Sequence, residues 1–246
     1  METTSAKPVT PPDWPRARSI TRVRAILQTF LIFPLIELFA PLTVFDCDRV
    51  KSVKRGAVFV SNHSSAFDPV VILQALPNRF RYKAFVVAAA DSIFKRKWEG
   101  FLTQLLINTF PIPRAGGARP MLDLLKQHLE NRWSVVIFPE GTLSRTGNIG
   151  TFKKGAAILA TDAGVPIVPA YIEGLYEVFP RFRKLPRRHP SSIRFGEPLY
   201  AEPGEDYDAF IARVENAVRT LAGPKGLLRD TPPPGGKTAE GSNYWY

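Results

Sequence analysis

Short apolar runs alternate along most of the chain with longer stretches whose apolar positions recur at helical spacing. The short runs have the length of buried β-strands and lie at residues 58–61, 84–90, 108–113, 135–138, 167–172 and 192–195. The intervening stretches predict helices over residues 69–76, 92–106, 121–131, 156–163 and 207–221. Alternation of this kind is typical of an α/β fold, here a mixed β-sheet flanked by helices.

Residues 25–45 have a different pattern, because they are apolar almost throughout. One helix of this length would be about 30 Å long, close to the thickness of a bilayer core. Gln28, Pro34, Glu37 and Pro41 interrupt it and weaken the case for a spanning helix. We therefore predict a kinked helix or helical pair that lies in one leaflet at the cytoplasmic face, with the preceding arginines at the headgroups. A spanning helix, a signal peptide and a core helix of the globular domain stay open as alternatives.

These patterns divide the chain into four parts. Residues 1–15 are rich in Pro and Thr and are predicted to be disordered. Residues 16–45 form the predicted membrane-associated helical segment, and residues 46–222 form one globular domain. Residues 223–246 contain the run Pro-Pro-Pro-Gly-Gly and are predicted to be a disordered tail.

The chain is basic, with 33 Lys and Arg against 22 Asp and Glu and a formal net charge of +11. Such an excess favours an anionic partner, which can be nucleic acid, a membrane surface or an acidic protein. We predict a membrane surface with anionic lipids and no nucleic acid, because the basic residues are mixed with large apolar ones and no aromatic RNA-binding motif is present. The three basic groups are Arg16, Arg18, Arg22 and Arg24; Lys95, Arg96 and Lys97 beside Trp98 and Phe101; and Arg181, Arg183, Lys184, Arg187 and Arg188 around Phe179 and Phe182.

The strongest chemical signal is Asn62-His63 followed by Asp68, directly after the apolar run 57–60. An imidazole oriented by a carboxylate can take a proton from a hydroxyl and make it a nucleophile. The sequence has no Gly-x-Ser-x-Gly motif, and its single cysteine is Cys47, so we expect the activated hydroxyl to belong to the substrate. The structural alternative is that Asp68 caps a helix that begins with Pro69, while His63 bonds the backbone.

A second polar segment follows the apolar run 135–138 and contains Glu140, Gly141, Thr142 and Arg145. It ends a predicted strand, which is where ligands bind in α/β sheets. The planar guanidinium of Arg145 could bind a phosphate through two parallel hydrogen bonds. Arg114, after the run 108–113, could be a second anion contact. A polar surface turn and a solvated loop arginine are the alternatives. The three histidines lack metal-ligand spacing, so we predict no metal.

Together these segments resemble the glycerolipid acyltransferase family, the lysophosphatidic acid (1-acylglycerol-3-phosphate) acyltransferases and their relatives. The family's Asn-His-x-x-x-x-Asp block is met by Asn62, His63 and Asp68, and its Phe-Pro-Glu-Gly-Thr block by residues 138–142. Residues 110–114 match its aromatic-to-arginine block, and residues 165–169 match its Val-Pro-Ile-Val-Pro run. The resemblance covers about residues 57–198, and the first and third blocks together are its specific part.

The resemblance implies an enzyme that transfers an acyl group from acyl-CoA or acyl carrier protein to the hydroxyl of a lysophospholipid, with no further cofactor. His63 and Asp68 are then the catalytic residues. The implied substrate-binding residues are Asn62, Arg114, Glu140, Gly141, Thr142 and Arg145.

Leu143 stands where members that act on lysophosphatidic acid often carry arginine, so another acceptor such as lysophosphatidylethanolamine stays open. A membrane lipid-binding protein without catalysis and a lipid hydrolase are the alternatives from other classes.

Overall fold

The computed structural model describes residues 11–90, 96–112 and 118–228. Its centre is a seven-stranded β-sheet with the strand order β1-β7-β6-β2-β5-β3-β4. The strands are β1 (Leu42–Phe45), β2 (Val58–Ser61), β3 (Ala84–Ala89), β4 (Thr109–Ile112), β5 (Ser134–Ile137), β6 (Ile167–Glu173) and β7 (Ser191–Phe195). The α-helices are α1 (Arg18–Leu27), α2 (Phe33–Phe39), α3 (Cys47–Ser52), α4 (Asp68–Ala75), α5 (Asn78–Arg81), α6 (Lys97–Ile107), α7 (Ala118–Glu130), α8 (Gly155–Ala163), α9 (Leu175–Val178) and α10 (Tyr207–Leu221).

Five neighbouring strands, β6, β2, β5, β3 and β4, run parallel, whereas β7 is antiparallel to β6 and β1 is parallel to β7. This mixed sheet confirms the predicted α/β fold. β2 is central, because Val58 pairs with Val135 on one side and with Ile167 on the other. The carboxyl ends of the five parallel strands share one edge, named the carboxyl edge below. The loops that follow β2 and β5 are therefore neighbours at that edge.

The core has two layers, one on each face of the sheet, because successive side chains of a strand point to opposite faces. In β2, Val58 and Val60 pack in one layer, which contains the apolar faces of α7, α8 and α10. Phe59 packs in the other layer, which contains the apolar faces of α2, α3 and α4. Burial on both faces explains why the central strands read as continuous apolar runs.

The predicted N-terminal helical segment forms, but it ends earlier than residue 45. α1 and α2 are joined by a π-helical stretch, Gln28–Ile32, and the helix ends at Phe39. Leu42–Phe45 is instead the strand β1, whose Leu42 pairs with Ser191. Pro41 cannot continue the helix, and the pairing partner in β7 lies far away in the sequence, so the apolar pattern could not reveal this strand. None of the described helices is both long enough and apolar enough to cross a membrane.

The predicted placement of Arg24 at lipid headgroups is wrong. Arg24 is 4% exposed, and its guanidinium donates to the carbonyls of Gln104 and Leu105 at the end of α6, at 2.9 and 2.8 Å. The amide of Gln28 donates to the next carbonyl, that of Leu106, at 2.8 Å. A cation at a helix C-terminus complements the helix dipole, and side-chain donors there satisfy carbonyls such as those of Leu105 and Leu106. Burial lowers the pKa of Arg24 to about 10, which leaves it charged at neutral pH.

The borders of the two predicted disordered ends also differ in the structure. Trp14–Arg16 form a 3₁₀-helix in which Pro15 is buried, and Trp14 stacks on Phe101 with ring centroids 5.0 Å apart. At the other end, Gly223–Leu227 form a second 3₁₀-helix, held by Arg219 through the carbonyl of Gly226. The rest of both predicted disordered ends, residues 1–10 and 229–246, lies outside the described residues.

Candidate active site

The His63 imidazole and the Asp68 carboxylate form a hydrogen-bonded pair just beyond the carboxyl end of β2. His63 Nδ1 lies 2.9 Å from Asp68 Oδ2. The same oxygen accepts the backbone N–H groups of Ser64 at 2.6 Å and Ser65 at 2.8 Å, and Asp68 is fully buried. Because an ionised carboxylate only accepts hydrogen bonds, Nδ1 carries the proton and Nε2 is left as the basic nitrogen.

Asp68 does not cap the helix that it begins. α4 starts at Asp68 with Pro69 beside it, but its N-cap residue is Phe67 and no side-chain cap bond is made. The carboxylate instead turns back towards Ser64, Ser65 and the ring of His63. The capping alternative is therefore wrong, and the orienting role is the one that the geometry supports.

An aromatic ring supports the imidazole from one side. Phe138, at the end of β5, stacks on His63 with ring centroids 4.2 Å apart and an interplanar angle of 21°. The side chain of His63 is 20% exposed, whereas that of Asp68 is 0% exposed. The imidazole is thus fixed by a stacked ring and a buried carboxylate, yet still accessible to a bound molecule.

The loop after β5 holds the backbone of His63. Glu140 is buried, and its Oε1 accepts the N–H of His63 at 3.0 Å. The N–H of Ser144 donates to the carbonyl of His63 at 2.7 Å. Gly141 has φ +74°, a left-handed conformation that favours glycine and makes the tight turn between these two contacts. Glu140 and Gly141 thereby position His63, while their contact with substrate stays a prediction.

Asn62 has a positioning role that the sequence did not suggest. Its Nδ2 donates to the carbonyl of Ile172 at 2.9 Å, and its Oδ1 accepts the N–H of Ile172 at 2.8 Å. The carboxamide thus imitates a backbone pairing and extends the contact between β2 and β6 by one residue. Asn62 is only 3% exposed, and substrate contact by this side chain stays a prediction.

Thr142 and Arg145 are exposed residues of the same loop that positions His63. The Tyr176 hydroxyl donates to the carbonyl of Arg145 at 2.8 Å. Gly147, at φ +85°, lies so close to Tyr176 that an added Cβ would be 2.9 Å from its ring. Tyr176 therefore supports the arginine-bearing turn, a role for which the sequence carries no local signal.

Arg114 lies outside the described residues. The strand that precedes it, β4, ends at Ile112 on the carboxyl edge and is separated from β2 by β5 and β3. Three strand spacings amount to about 14 Å between β2 and β4. The described residues contain no group of three or more His, Cys, Asp or Glu that could hold a metal ion.

The chain is similar to several known acyltransferases. A family model described as Acyltransferase matches residues 42–173, over half of the chain. A chloroplastic 1-acyl-sn-glycerol-3-phosphate acyltransferase of Arabidopsis thaliana is 31% identical over 145 residues, which cover 58% of this chain and 38% of the relative. The human 1-acyl-sn-glycerol-3-phosphate acyltransferase alpha is 32% identical over 176 residues, which cover 67% of this chain and 58% of the relative.

A solved structure has the same fold. The crystal structure of the 1-acyl-sn-glycerophosphate acyltransferase of Thermotoga maritima superposes with a TM-score of 0.62 at 22% identity, covering 83% of this chain and 78% of that one. The chain spans 37 to 57% of the length of the first three curated relatives it matches. Since the family model takes in β1 to β6 with the His63–Asp68 pair and the Glu140 loop, the chain belongs to the acyltransferase family.

Proposed function

We propose that the protein is an O-acyltransferase that moves a fatty acyl group from acyl-CoA or acyl carrier protein to the free hydroxyl of a lysophospholipid. The observation that carries the proposal is the His63–Asp68 pair, in which His63 Nδ1 lies 2.9 Å from Asp68 Oδ2. Two nearby serine hydroxyls are engaged elsewhere: Ser65 Oγ donates to the carbonyl of Phe179, and Ser144 Oγ accepts the N–H of Gly147. The basic Nε2 of His63 is therefore left for a hydroxyl of the substrate.

In this reaction His63 first removes the proton of the acceptor hydroxyl as its oxygen attacks the thioester carbonyl. The new C–O bond forms, and the tetrahedral intermediate collapses with loss of the thiolate. The imidazolium then returns its proton to the thiolate, so that the products are an ester and a free thiol. Asp68 stabilises the imidazolium, and because the carboxylate is buried this attraction is stronger than it would be in water.

The acceptor that the comparisons favour is 1-acylglycerol-3-phosphate, which would give phosphatidic acid. The relatives carry that substrate in their names. In the proposed complex Arg145 and Arg114 bind the phosphate, with Thr142 and the turn at Glu140 and Gly141 beside it, and no metal takes part. Another lysophospholipid, such as lysophosphatidylethanolamine, is the second candidate, because Leu143 follows Thr142 where arginine is common in the family.

We also propose that the N-terminal helical segment lies flat on a membrane at its cytoplasmic face. Its outer surface carries large apolar side chains that are 44 to 77% exposed, and we name this set the apolar ridge. The ridge consists of Val23, Ile26, Phe30, Leu31, Leu35 and Leu38. The exposed Trp98, Phe101 and Leu102 of α6 extend the apolar surface, since α1 packs against α6. A continuous exposed apolar patch of this kind is typical of a membrane or partner contact.

Acceptor-dependent thiol release tests the proposed reaction. The purified chain is mixed with acyl-CoA or acyl carrier protein and a panel of lysophospholipids, and the lipid product is identified by mass spectrometry. We expect rapid thiol release only with an acceptor, and a diacyl product. Equal release without any acceptor would indicate a hydrolase, and no release under any condition would favour a lipid-binding protein.

A further inference from the structure

The loop between α9 and β7 is the most basic segment of the described chain. We name residues 179–190 the basic loop. From Pro180 to Pro190 it contains five Lys and Arg residues and no acidic residue. The basic residues are Arg181, Arg183, Lys184, Arg187 and Arg188. Two large apolar residues lie between them, and both are well exposed: Phe182 at 70% and Leu185 at 75%.

One of the five basic residues shapes the loop, and the others remain at its surface. Arg183 is partly buried, and its guanidinium donates to the carbonyls of Glu177 at 2.6 Å and Val178 at 3.5 Å. The N–H of Arg187 donates to the carbonyl of Val178 at 2.9 Å, which closes the loop onto the end of α9. The side chains that stay exposed belong to Arg181, Lys184, Arg187 and Arg188.

The basic loop connects the candidate active site to the apolar ridge. At the first residue of the loop, the carbonyl of Phe179 accepts the hydroxyl of Ser65. The ring of Phe179 lies 5.1 Å from the ring of Phe67, the residue directly before Asp68. Near its other end, the N–H of His189 donates to the carbonyl of Phe39, the last residue of α2, at 2.9 Å. The loop therefore lies at the carboxyl edge, next to the end of the helical segment that carries the ridge.

We propose that the basic loop is a second membrane contact, which binds anionic headgroups of the bilayer on which the apolar ridge rests. Four exposed cations without an intervening acid match an anionic surface, and Phe182 and Leu185 can enter the boundary between headgroups and acyl chains. The contact gives the protein a preference for anionic membranes and brings that surface beside His63 and Asp68. An acidic protein partner, such as an acyl carrier protein, would match the charge as well. The junction with the ridge favours lipid.

This inference rests on the proposed membrane association but not on the proposed reaction. The test uses the full chain and two kinds of vesicle, pure phosphatidylcholine and a mixture of phosphatidylcholine with phosphatidylglycerol. The variant replaces Arg181, Lys184, Arg187 and Arg188 by Gln and leaves Arg183 in place. The matched control is the double variant K54Q/R55Q, which removes two exposed charges at the opposite edge of the sheet, before β2.

We expect the quadruple variant to lose at least about tenfold in partition to the anionic vesicles, since each Lys or Arg near such a surface strengthens binding by several-fold. Binding to neutral vesicles and activity in neutral detergent micelles should stay near wild type, and the K54Q/R55Q control should bind like wild type. The variant F182S/L185S should weaken binding to both kinds of vesicle.

Wild-type partition of the quadruple variant to anionic vesicles would overturn the proposal, even if micelle activity supports the acyltransferase reaction. A defect seen only as a raised KM for acyl carrier protein would overturn it too, and would assign the loop to a protein partner. Loss of anionic binding in a chain that proves inactive with every thioester would still support the lipid contact while refuting the reaction.

Discussion

The candidate active site and the N-terminal helical segment both bury polar side chains, but they present opposite surfaces. At the site, Asp68 is 0% exposed, whereas the imidazole of His63 is partly exposed. That imidazole is fixed by Asp68 and by the stacked ring of Phe138. In the helical segment, Arg24 is 4% and Gln28 1% exposed, while Phe30 is 77% exposed. Hydrogen bonds hold the buried side chains of Arg24, Gln28 and Asp68 in place, although Asp68 Oδ1 is buried without a hydrogen-bond partner among the described residues. The two regions differ in what each offers to a ligand. One region offers a base, and the other offers apolar area.

This contrast assigns the proposed chemistry and the proposed membrane attachment to separate sets of side chains. Substitutions in the His63–Asp68 pair should change turnover and leave membrane binding intact. Substitutions in the apolar ridge should do the reverse.

The largest effect is expected for His63→Ala, which removes the base and leaves Phe138 and Asp68 without their partner. Loss of a general base costs at least about a hundredfold in rate. Circular dichroism and vesicle sedimentation should show a folded protein with wild-type membrane binding. A folded variant with near-normal turnover would rule out the proposed mechanism.

Asp68→Asn should be nearly as damaging, because the neutral amide cannot stabilise the imidazolium. The three donors, from Ser64, Ser65 and the His63 ring, all bond Oδ2, so the amide places an NH2 group at the buried Oδ1 position, where it has no partner among the described residues. We expect a loss of about a hundredfold in kcat, and a loss of stability of about 1–3 kcal/mol from unpaired buried groups. Urea unfolding monitors the second effect, so that reduced turnover can be corrected for any unfolded fraction. Unchanged kcat would contradict the orienting role.

Much of this site could be predicted from the sequence, because its central pair is local. His63 and Asp68 lie five residues apart across the end of one strand and the start of the next helix. The positioning role of Asn62 depends on Ile172, 110 residues away, and that of Arg24 on Gln104, 80 residues away. No local pattern signals partners at such distances.

The same limit explains the errors in the fold. The β1 strand is four residues long, follows a helix within the same apolar stretch and pairs only with β7. Hydrophobic periodicity cannot separate so short a strand from the end of an apolar helix. The strands β2, β4 and β5 are also four residues long, but they were predicted because each is an apolar run of its own, separate from any helix.

Arg145→Ala should mainly raise the KM for the lysophospholipid, because a phosphate contact is shared by the ground state and the transition state. A lost charge-assisted hydrogen bond corresponds to about a tenfold to hundredfold change. Arg114→Ala should raise the same KM if Arg114 also binds the phosphate. Lysine at either position should restore the KM only partly. Steady-state kinetics with both substrates varied decide the matter. If only the KM for the thioester rose, these arginines would be assigned to the acyl-donor site instead.

Phe30→Ser combined with Leu31→Ser should weaken binding to vesicles by about tenfold, since each side chain loses apolar area that the membrane would bury. Activity on substrate in detergent micelles should change little. A matched control is Leu227→Ser, because Leu227 is also exposed, at 85%, but follows α10, which packs on the opposite face of the sheet from α2. If the control and the ridge variant bind vesicles equally well, the ridge is not the attachment surface.

The smallest functional effect is expected for Arg24→Met, which acts on stability alone. It leaves the carbonyl of Leu105 without its side-chain donor, whereas the carbonyl of Gln104 keeps the N–H of Asn108, and it costs about 1.5–3 kcal/mol, a shift of several degrees in Tm. The exposed neighbour Arg22→Met serves as the control and should leave Tm within about a degree. Equal Tm values for the two variants would show that Arg24 does not hold the helical segment against α6.

The central claim is that the His63–Asp68 pair activates a hydroxyl of the acceptor. The most direct measurement compares thiol release from acyl-CoA in the presence of 1-acylglycerol-3-phosphate and of an analogue in which hydrogen replaces the free hydroxyl. We expect rapid release with the first and only background release with the second, although both bind through the phosphate. Equal release with the two compounds would contradict the account, because the nucleophile would then not be the acceptor hydroxyl.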